Sequence, residues 1–205
     1  MPRTAKAIEI IKVNRREQIL KYALRLFALN GYDATSINDI AHAIGASHGL
    51  IYHYFDDKEA IFTTLLDYSL ALSFAPIFPQ LSELQLAHPK ETMHSIIKRI
   101  VDELEKDDSN FGYYFYLFLN MRFQKTAPLP RFHVPQKDLL PFGIITNLIK
   151  AGQTLDLFAQ GEPRDLAMIF FATLRGLTYA KLHETSAYVF PSSEMILNMF
   201  LRKAD

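Results

Sequence analysis

Residues 35–62 read TSINDIAHAIGASHGLIYHYFDDKEAIF and contain two short helical patterns on either side of a glycine. Thr35 or Ser36 can cap the first helix, and Asp39 stands three residues after Ser36, as in a capping box. Four apolar residues follow the i, i+3, i+4, i+7 spacing of one helix face: Ile37, Ile40, Ala41 and Ile44. This pattern predicts a helix that ends at Gly45.

The sequence after Gly45 predicts a second helix with almost no linker. Ser47 is a new N-cap, and Ile51 and Phe55 form an apolar i, i+4 pair. At about 100° per residue, six residues flank that pair or point away from it: His48, Gly49, Leu50, Tyr52, His53 and Tyr54. Two helices joined by a tight turn, the second with an exposed polar face, can place a recognition helix in the DNA major groove. An ordinary helical hairpin has the same spacing and is the alternative.

The flanking sequence predicts one more helix on each side. From Arg15, apolar residues repeat at helical spacing up to Phe27, and Gly31 is expected to end this helix in the left-handed conformation, with Tyr32 folding back on Phe27. On the other side, Asp56 or Asp57 can cap a helix that opens at Lys58. The apolar stripe of that helix consists of Ile61, Phe62, Leu65 and Leu66.

The run at 35–62, preceded by FALNGYDAT at 27–35, resembles the DNA-binding domain of the tetracycline-repressor (TetR) family of bacterial transcription regulators. The recurring family pattern falls on Ile40-Ala41, Gly45, Ser47, Tyr52, Phe55 and Lys58. The resemblance implies that DNA contacts come from Ser36, Ser47, His48, Gly49, Leu50, Tyr52, His53, Tyr54 and Lys58, with Tyr52 and Lys58 on phosphates. Relatives often carry lysine where this chain has His48 and a small polar residue where it has Leu50. Leu50 is therefore expected to touch a thymine methyl group or to pack.

Basic side chains are concentrated at the start of the chain, although its 22 basic and 22 acidic residues balance overall. Residues 1–25 carry seven basic and two acidic side chains, a net charge of +5, whereas residues 61–205 carry 14 basic and 15 acidic ones. A localised positive end on a balanced body indicates one electrostatic docking surface. We interpret residues 1–14 as a basic N-terminal arm, residues 15–57 as the DNA-binding domain and residues 58–205 as a second domain. A solvated basic tail is the alternative for the arm.

The remaining sequence predicts an all-α domain, since no alternating strand pattern is long enough to be convincing. Helices are predicted near 89–106, 110–123, 136–156, 163–184 and 192–203. The segment QKTAPLPRFHVP at 124–135 is predicted to be a loop, because its three prolines remove backbone donors and fix dihedral angles.

The family resemblance implies that this second domain binds a small effector and dimerises. A group of aromatic residues suits a pocket for an apolar or aromatic molecule, with plain core as the alternative: Phe62, Phe111, Tyr114, Phe115, Phe118 and Phe142. The last two helices have the wide apolar faces of a dimer bundle, with a monomer core as the alternative. The candidate interface residues are Phe171, Leu174, Gly176, Met195 and Met199.

These observations predict a ligand-responsive transcriptional regulator, expected to repress by binding a palindromic operator as a homodimer and to be released by an apolar or aromatic effector. Cysteine is absent, which excludes thiolate chemistry, and no cofactor motif, metal or catalytic residue is expected. No segment predicts a membrane span or a secretory signal, so a cytoplasmic location is expected. An enzyme is the runner-up, on the spacing of Glu91 with His94 or Asp39 with His42, or on the acidic run Asp102 to Asp108. A helical interaction module without DNA binding is the third possibility.

Overall fold

The computed structural model of the protein describes residues 5–78, 83–106, 110–120, 141–184 and 188–203. Across those ranges the regular structure is helical, apart from one isolated antiparallel bridge between Phe158 and Leu201. The all-α prediction is confirmed. The helices are α1 (Ala5–Asn30), α2 (Ile37–Ala43), α3 (His48–Tyr52), α4 (Lys58–Tyr68), a π-helix (Ser69–Phe74), α5 (Glu83–Ala87), α6 (Pro89–Glu105), α7 (Phe111–Asn120), α8 (Pro141–Thr154), α9 (Pro163–His183) and α10 (Ser193–Asn198).

Helix α1 begins at Ala5, ten residues before the start that the apolar pattern predicts at Arg15. Its first turns expose Ile10, Ile11 and Val13 to solvent, so no buried stripe marks this part of the helix in the sequence. Residues 5–14 of the predicted arm are therefore helical. Whether they contact DNA stays a prediction.

The end of α1 has the predicted geometry. Gly31 adopts a φ of +87°, and its N–H donates to Phe27 O at 3.0 Å. The Tyr32 ring stacks on the Phe27 ring with centroids 5.8 Å apart. This is the left-handed termination that glycine permits, and it turns the chain towards α2.

Helices α1 to α4 enclose one apolar core. It contains the stripes predicted from the sequence, among them Phe27, Ile40, Ile51 and Phe55. The core also includes residues of α4 such as Leu65, together with Leu117 of α7. Helix α7 therefore packs directly against the N-terminal helices, a long-range contact that local patterns do not show.

A second core lies among the π-helix and helices α6 to α10. Helices α6 and α9 match the segments predicted at 89–106 and 163–184 to within one residue at each end. Helices α7 and α8 fall inside the segments predicted at 110–123 and 136–156, and the rest of those segments lies partly outside the described residues. Helix α5 is not anticipated by the sequence pattern. The predicted loop at 124–135 lies outside the described residues.

Helix α10 is shorter than the predicted segment 192–203, because the chain after it pairs with the turn that precedes α9. The Ala159 N–H donates to Phe200 O at 2.9 Å, and the Arg202 N–H donates to Leu157 O at 3.0 Å. These bonds take residues 200–202 out of the helix. Within the described part of the chain, no helix is both long and apolar enough to cross a membrane.

Candidate functional site

Helix α2 begins and ends with the signals that the sequence predicts. The Ser36 hydroxyl accepts a hydrogen bond from the Asp39 N–H at 3.2 Å, and the Asp39 carboxylate accepts from the Ser36 N–H at 2.8 Å. The Ser36 hydroxyl also donates to that carboxylate at 2.6 Å. These contacts hold the pKa of Asp39 below its ordinary value, first through the Ser36 hydroxyl and then through the Ser36 backbone.

The turn between α2 and α3 is a Schellman motif. Gly45 has a φ of +62°, the Ala46 N–H donates to Ala41 O at 2.9 Å, and the Gly45 N–H donates to His42 O at 3.1 Å. These bonds satisfy the last carbonyls of α2 and fix the direction in which the chain leaves it. Helix α3 follows after Ala46 and Ser47, so its orientation relative to α2 is set by this turn.

Helix α3 presents a polar outer face, as the sequence predicts. Ser47, His48, Gly49 and His53 are exposed, and Tyr52 is 48% exposed, while Ile51 is fully buried in the core. The Ser47 side chain makes no capping hydrogen bond to α3, although the residue occupies the N-cap position. Solvent therefore reaches one continuous face of α3.

Three details refine this face. The His48 and Tyr52 rings meet edge to face with centroids 4.9 Å apart, which restricts both side chains. Leu50 is half-buried, and Tyr54 is half-buried and packs against the N-terminal core. A Cβ added to Gly49 would meet no atom within 4 Å. The fold itself therefore does not need a glycine there, and its backbone is open to a partner.

Lys58, the first residue of α4, lies in a different setting. Its Nζ donates to Tyr32 O at 2.8 Å and to Thr35 O at 2.9 Å, and it lies 4.1 Å from the centre of the Tyr32 ring. The neighbouring Asp57, one of the two residues predicted to cap α4, is its N-cap and accepts from the Ala60 N–H at 2.6 Å. Sequence spacing gives no signal for the Lys58 contacts, because they join residues more than 20 positions apart.

Two basic residues of α1 also rest on aromatic rings. The Arg16 guanidinium lies 4.7 Å from the Phe55 ring centre, and that of Arg25 lies 5.5 Å from the Tyr113 ring centre. Such contacts attract a cation to the ring face while leaving its charge in place. Part of the positive charge near the N-terminus therefore also joins α1 to its neighbours.

The aromatic residues predicted to bind an effector divide between the two cores. Phe62 is fully buried in the N-terminal core, and Tyr114 packs against it. Phe111 and Phe115 are buried in the second core, where Phe118 and Phe142 are partly buried. Burial raises the pKa of Tyr114. The structure thus groups four of the six residues and places the other two with the core of α1 to α4.

The four grouped residues belong to a chain of ring contacts around the π-helix. Phe74 stacks on Phe115 with centroids 5.1 Å apart, and its ring centre lies 4.1 Å from that of Phe118. Phe142 packs against Phe171 of α9, with centroids 6.0 Å apart. A separate pocket of about 260 Å³ lies between the π-helix end, α5 and α6, and its wall contains none of the predicted effector residues.

Exposed apolar residues occur on α9 and at α10, and we call them together the exposed apolar face. Four of its members are half exposed or more: Met168, Ile169, Met195 and Met199. Tyr179 of α9 is 50% exposed. Gly176, three residues before it, has open space where a side chain would stand. Three of the five residues predicted at a dimer interface, Gly176, Met195 and Met199, lie on this face.

The other two candidate interface residues lie elsewhere. Leu174 is 1% exposed and belongs to the second core, so the monomer leaves almost none of its surface for a partner. Phe171 is half-buried against Phe142 and Phe170. The helical spacing of α9 explains this placement, since Leu174 lies on the same face as the buried residues Phe170 and Thr178.

The residues behind the enzyme alternative are held in structural contacts. His94 Nε2 lies 3.0 Å from Ser193 Oγ and 3.2 Å from Glu194 Oε1. A serine nucleophile needs a histidine whose second ring nitrogen is held by the carboxylate, whereas here both groups meet the same nitrogen. This trio joins α6 to α10. Asp39 is engaged in the capping box, and Asp107 and Asp108 lie outside the described residues.

Comparison with known proteins supports the DNA-binding interpretation of the N-terminal helices. A family model for bacterial regulatory proteins of the tetR family matches residues 19–65. The HTH-type transcriptional repressor Rv1474c of Mycobacterium tuberculosis is 49% identical over 51 residues, which are 25% of this chain and 27% of that protein. The chain thus matches about a quarter of the length of this curated relative.

Solved structures extend the likeness to the whole fold. The ketosteroid transcriptional regulator KstR2 of Mycobacterium tuberculosis aligns with a TM-score of 0.60 at 19% identity, over 92% of this chain and 96% of that one. AibR in complex with isovaleryl coenzyme A and operator DNA aligns with a TM-score of 0.61 at 15% identity, over 90% and 95% of the two chains. At such identities the likeness concerns the fold. Residues 19–65 thus match the N-terminal domain of the tetR family of bacterial regulatory proteins, and the chain as a whole shares the fold of these solved regulators.

Proposed function

We propose that the protein is a ligand-responsive transcriptional repressor that binds operator DNA through α3. The observation that carries this proposal is the outer face of α3, on which His48, Gly49, Tyr52 and His53 are exposed next to a rigid glycine turn. Imidazole and phenol groups can bond phosphate oxygens or base edges, and a bare Gly49 lets the backbone approach the duplex. In this assignment residues 15–57 hold the DNA-reading unit and residues 58–205 hold the control domain.

The individual DNA contacts follow from exposure. Ser47, His48 and His53 are free to reach the groove, and Tyr52 is placed beside His48 to reach a phosphate. Ser36 is exposed at the start of α2, so its side chain can reach a phosphate although its hydroxyl also bonds to the Asp39 carboxylate. Leu50 and Tyr54 contribute only their exposed edges, because both pack partly against the protein.

The exposed apolar face of α9 and α10 supports a homodimer. One recognition helix reads only a few base pairs, and a two-fold dimer presents two of them to the halves of a palindrome about one DNA turn apart. Met168, Met195 and Met199 supply apolar surface that would otherwise remain in water, and Gly176 allows two helices to approach closely. Helix-bundle dimers are built from such faces.

The aromatic group around Phe74 supports an apolar or aromatic effector. Phe118 and Phe142 are partly buried at the edge of the second core, and Phe74 links them to the helix that enters the DNA-binding unit. The solved structure of AibR holds a coenzyme A ester and operator DNA, so this fold can carry both kinds of ligand. An effector can release DNA only by favouring one conformation over the other, so DNA and effector should weaken each other reciprocally.

An enzymatic activity receives no support from the contacts of His94 and Asp39, so we assign no catalytic residue, metal or cofactor. A regulator of this kind works where the chromosome is, which places it in the bacterial cytoplasm. The matched tetR-family segment, which aligns with a repressor at 49% identity, favours DNA binding over a bare interaction module.

Selection from a random duplex library tests the proposal. The purified protein should enrich a palindromic sequence, and binding should weaken steeply with salt because Lys and Arg displace counterions from phosphates. If the imidazole contacts a base edge, His53→Ala should weaken the preference for one base at one half-site position. The loss should be roughly 1–3 kcal/mol of binding free energy. The matched control is His183→Ala on α9, which should leave the enriched sequence unchanged. Failure to enrich any sequence at low salt would refute operator binding.

A further inference from the structure

The contacts of Lys58 differ from those of a residue that waits for a phosphate. Its side chain is half-buried, and its ammonium group donates to two carbonyl oxygens, Tyr32 O at 2.8 Å and Thr35 O at 2.9 Å. The same group lies over the Tyr32 ring. An ammonium has three N–H donors, so two of them serve the protein's own backbone.

The turn that Lys58 contacts is also bonded within itself, since the Thr35 N–H donates to Tyr32 O at 3.4 Å. It connects α1 to α2 and contains no regular helix or strand. Thr35 is buried and uses its hydroxyl to donate to Gly31 O at 2.8 Å, while its own carbonyl faces the Lys58 ammonium. Hydrogen bonds to a charged donor are stronger than neutral ones, so this contact is a firm link between the turn and α4.

The Tyr32 ring completes the link from its other side. It meets the Phe62 ring with centroids 4.8 Å apart and stacks on Phe27. Tyr32 is therefore held between α1, the first turn of α4 and the Lys58 ammonium. Movement of α4 relative to the turn would break both hydrogen bonds and the ring contact together.

We propose that Lys58 is a positioning residue that locks the α1–α2 turn to the start of α4 and so fixes the angle of the α2–α3 unit for DNA. This inference rests on the proposed DNA-binding function and reassigns Lys58 within it. The lysine acts through the orientation of α3, whereas the family resemblance implies a direct phosphate contact. A phosphate that drew the ammonium away from Tyr32 O and Thr35 O would release the turn from α4.

The test uses Lys58→Met, which keeps an apolar stem over the Tyr32 ring and removes the donors and the charge. Amide hydrogen exchange of residues 33–41, measured in the full-length protein without DNA, should become roughly ten-fold faster, as expected for losing a charge-assisted hydrogen bond. Affinity for the selected duplex should fall, while affinity for a scrambled duplex and the slope of log K against log salt should both stay at the wild-type values.

A phosphate contact predicts a different pattern. The salt slope would become flatter by about 0.9, and affinity for selected and scrambled duplexes would fall together. That result, or wild-type amide exchange in Lys58→Met, would overturn the proposal. Lys98→Met is the matched control, because it removes an exposed lysine of another helix, α6, where Lys98 pairs with Asp102. It should change none of these quantities.

Two further arms keep the outcome decisive. If Lys58→Met does not fold, Lys58→Gln retains two N–H donors without the charge and is measured in the same way. If the wild-type protein binds no duplex, the proposed function fails. The exchange experiment then still decides whether Lys58 holds the turn, since it needs no DNA.

Discussion

The ring centres of Phe74 and Phe118 lie 4.1 Å apart, which joins the π-helix after α4 to α7. Phe74 is buried and Phe118 is partly buried. The same Phe74 ring stacks on Phe115, which is fully buried. One aromatic residue of the connecting segment thus touches both a core residue and a residue that remains partly accessible.

Substitution of these two α7 residues should separate core from effector site. Phe115→Ala is expected to lower the free energy of unfolding by about 3–5 kcal/mol, because it leaves a cavity in a closed core. Phe118→Ala should lower it less, since part of that ring is already in water. In a thermal-shift screen of aromatic compounds, ligands that stabilise the wild type should fail to stabilise Phe118→Ala. Equal ligand-induced shifts of the melting temperature in wild type and Phe118→Ala would mean that Phe118 is a core residue and not part of an effector site.

The two glycines near α3 should respond in opposite ways. Gly45→Ala places a side chain at a φ of +62° and is expected to destabilise the protein by about 1–2 kcal/mol, although no atom obstructs the Cβ. Gly49→Ala lies inside a helix and should stabilise it by about 0.5–1 kcal/mol while weakening operator binding. Urea unfolding and a duplex-binding assay measure both effects. Undiminished DNA affinity in Gly49→Ala would show that the backbone there does not approach the duplex.

A charge placed at Gly176 should prevent dimerisation. A Cβ at position 176 would meet no atom within 4 Å, so Gly176→Arg should leave the helical content of the monomer intact and sediment as a single copy. Operator binding should be lost, because two recognition helices are no longer held together. Phe171→Glu is a poorer reagent, since that ring packs in the monomer. Ser95→Arg on the exposed side of α6 serves as control, and full operator affinity in monomeric Gly176→Arg would contradict the dimer.

The capping box predicts a dependence of stability on pH. The pKa of Asp39 lies below its ordinary value of 3.8, chiefly because the Ser36 hydroxyl and then the Ser36 N–H donate to its carboxylate. A lowered folded-state pKa gives stability that is complete above the ordinary value and is lost as pH falls through the folded-state value. Wild type should therefore exceed Asp39→Asn in urea midpoint at pH 6, with the gap closing in more acidic solution. Asp39→Asn should lower the urea midpoint less when Ser36→Ala is also present, because the hydroxyl donor is then missing.

Sequence reasoning succeeded where the determinants are local. The capping box at Ser36 and the left-handed glycines at 31 and 45 are set by residues within five positions of each other. The apolar stripes of α1 and α4 likewise place their members in the core. Such features could be predicted because each depends on one turn of backbone and on a residue type that few alternatives can replace.

It failed where contacts depend on distant segments. Nothing near Lys58 indicates that its ammonium meets carbonyls at Tyr32 and Thr35, and nothing in α7 indicates that Leu117 joins the N-terminal core. The burial of residues along α9 shows the same difficulty. A helix that is apolar over most of its circumference does not reveal which side faces inwards, so Leu174 and Gly176 could not be told apart.

The π-helix between Ser69 and Phe74 has a consequence for helical phase. The Ala75 N–H donates to Leu70 O at 2.8 Å, five residues back, so this stretch fits one residue more than an α-helical turn would. An α-helix turns by about 100° per residue, so the residues beyond the π-helix are rotated by that angle relative to an uninterrupted α4. The side of the segment that meets α7 is therefore fixed by a residue count. A deletion of a single residue here would leave the chemistry of both cores intact and turn one of them away from the other.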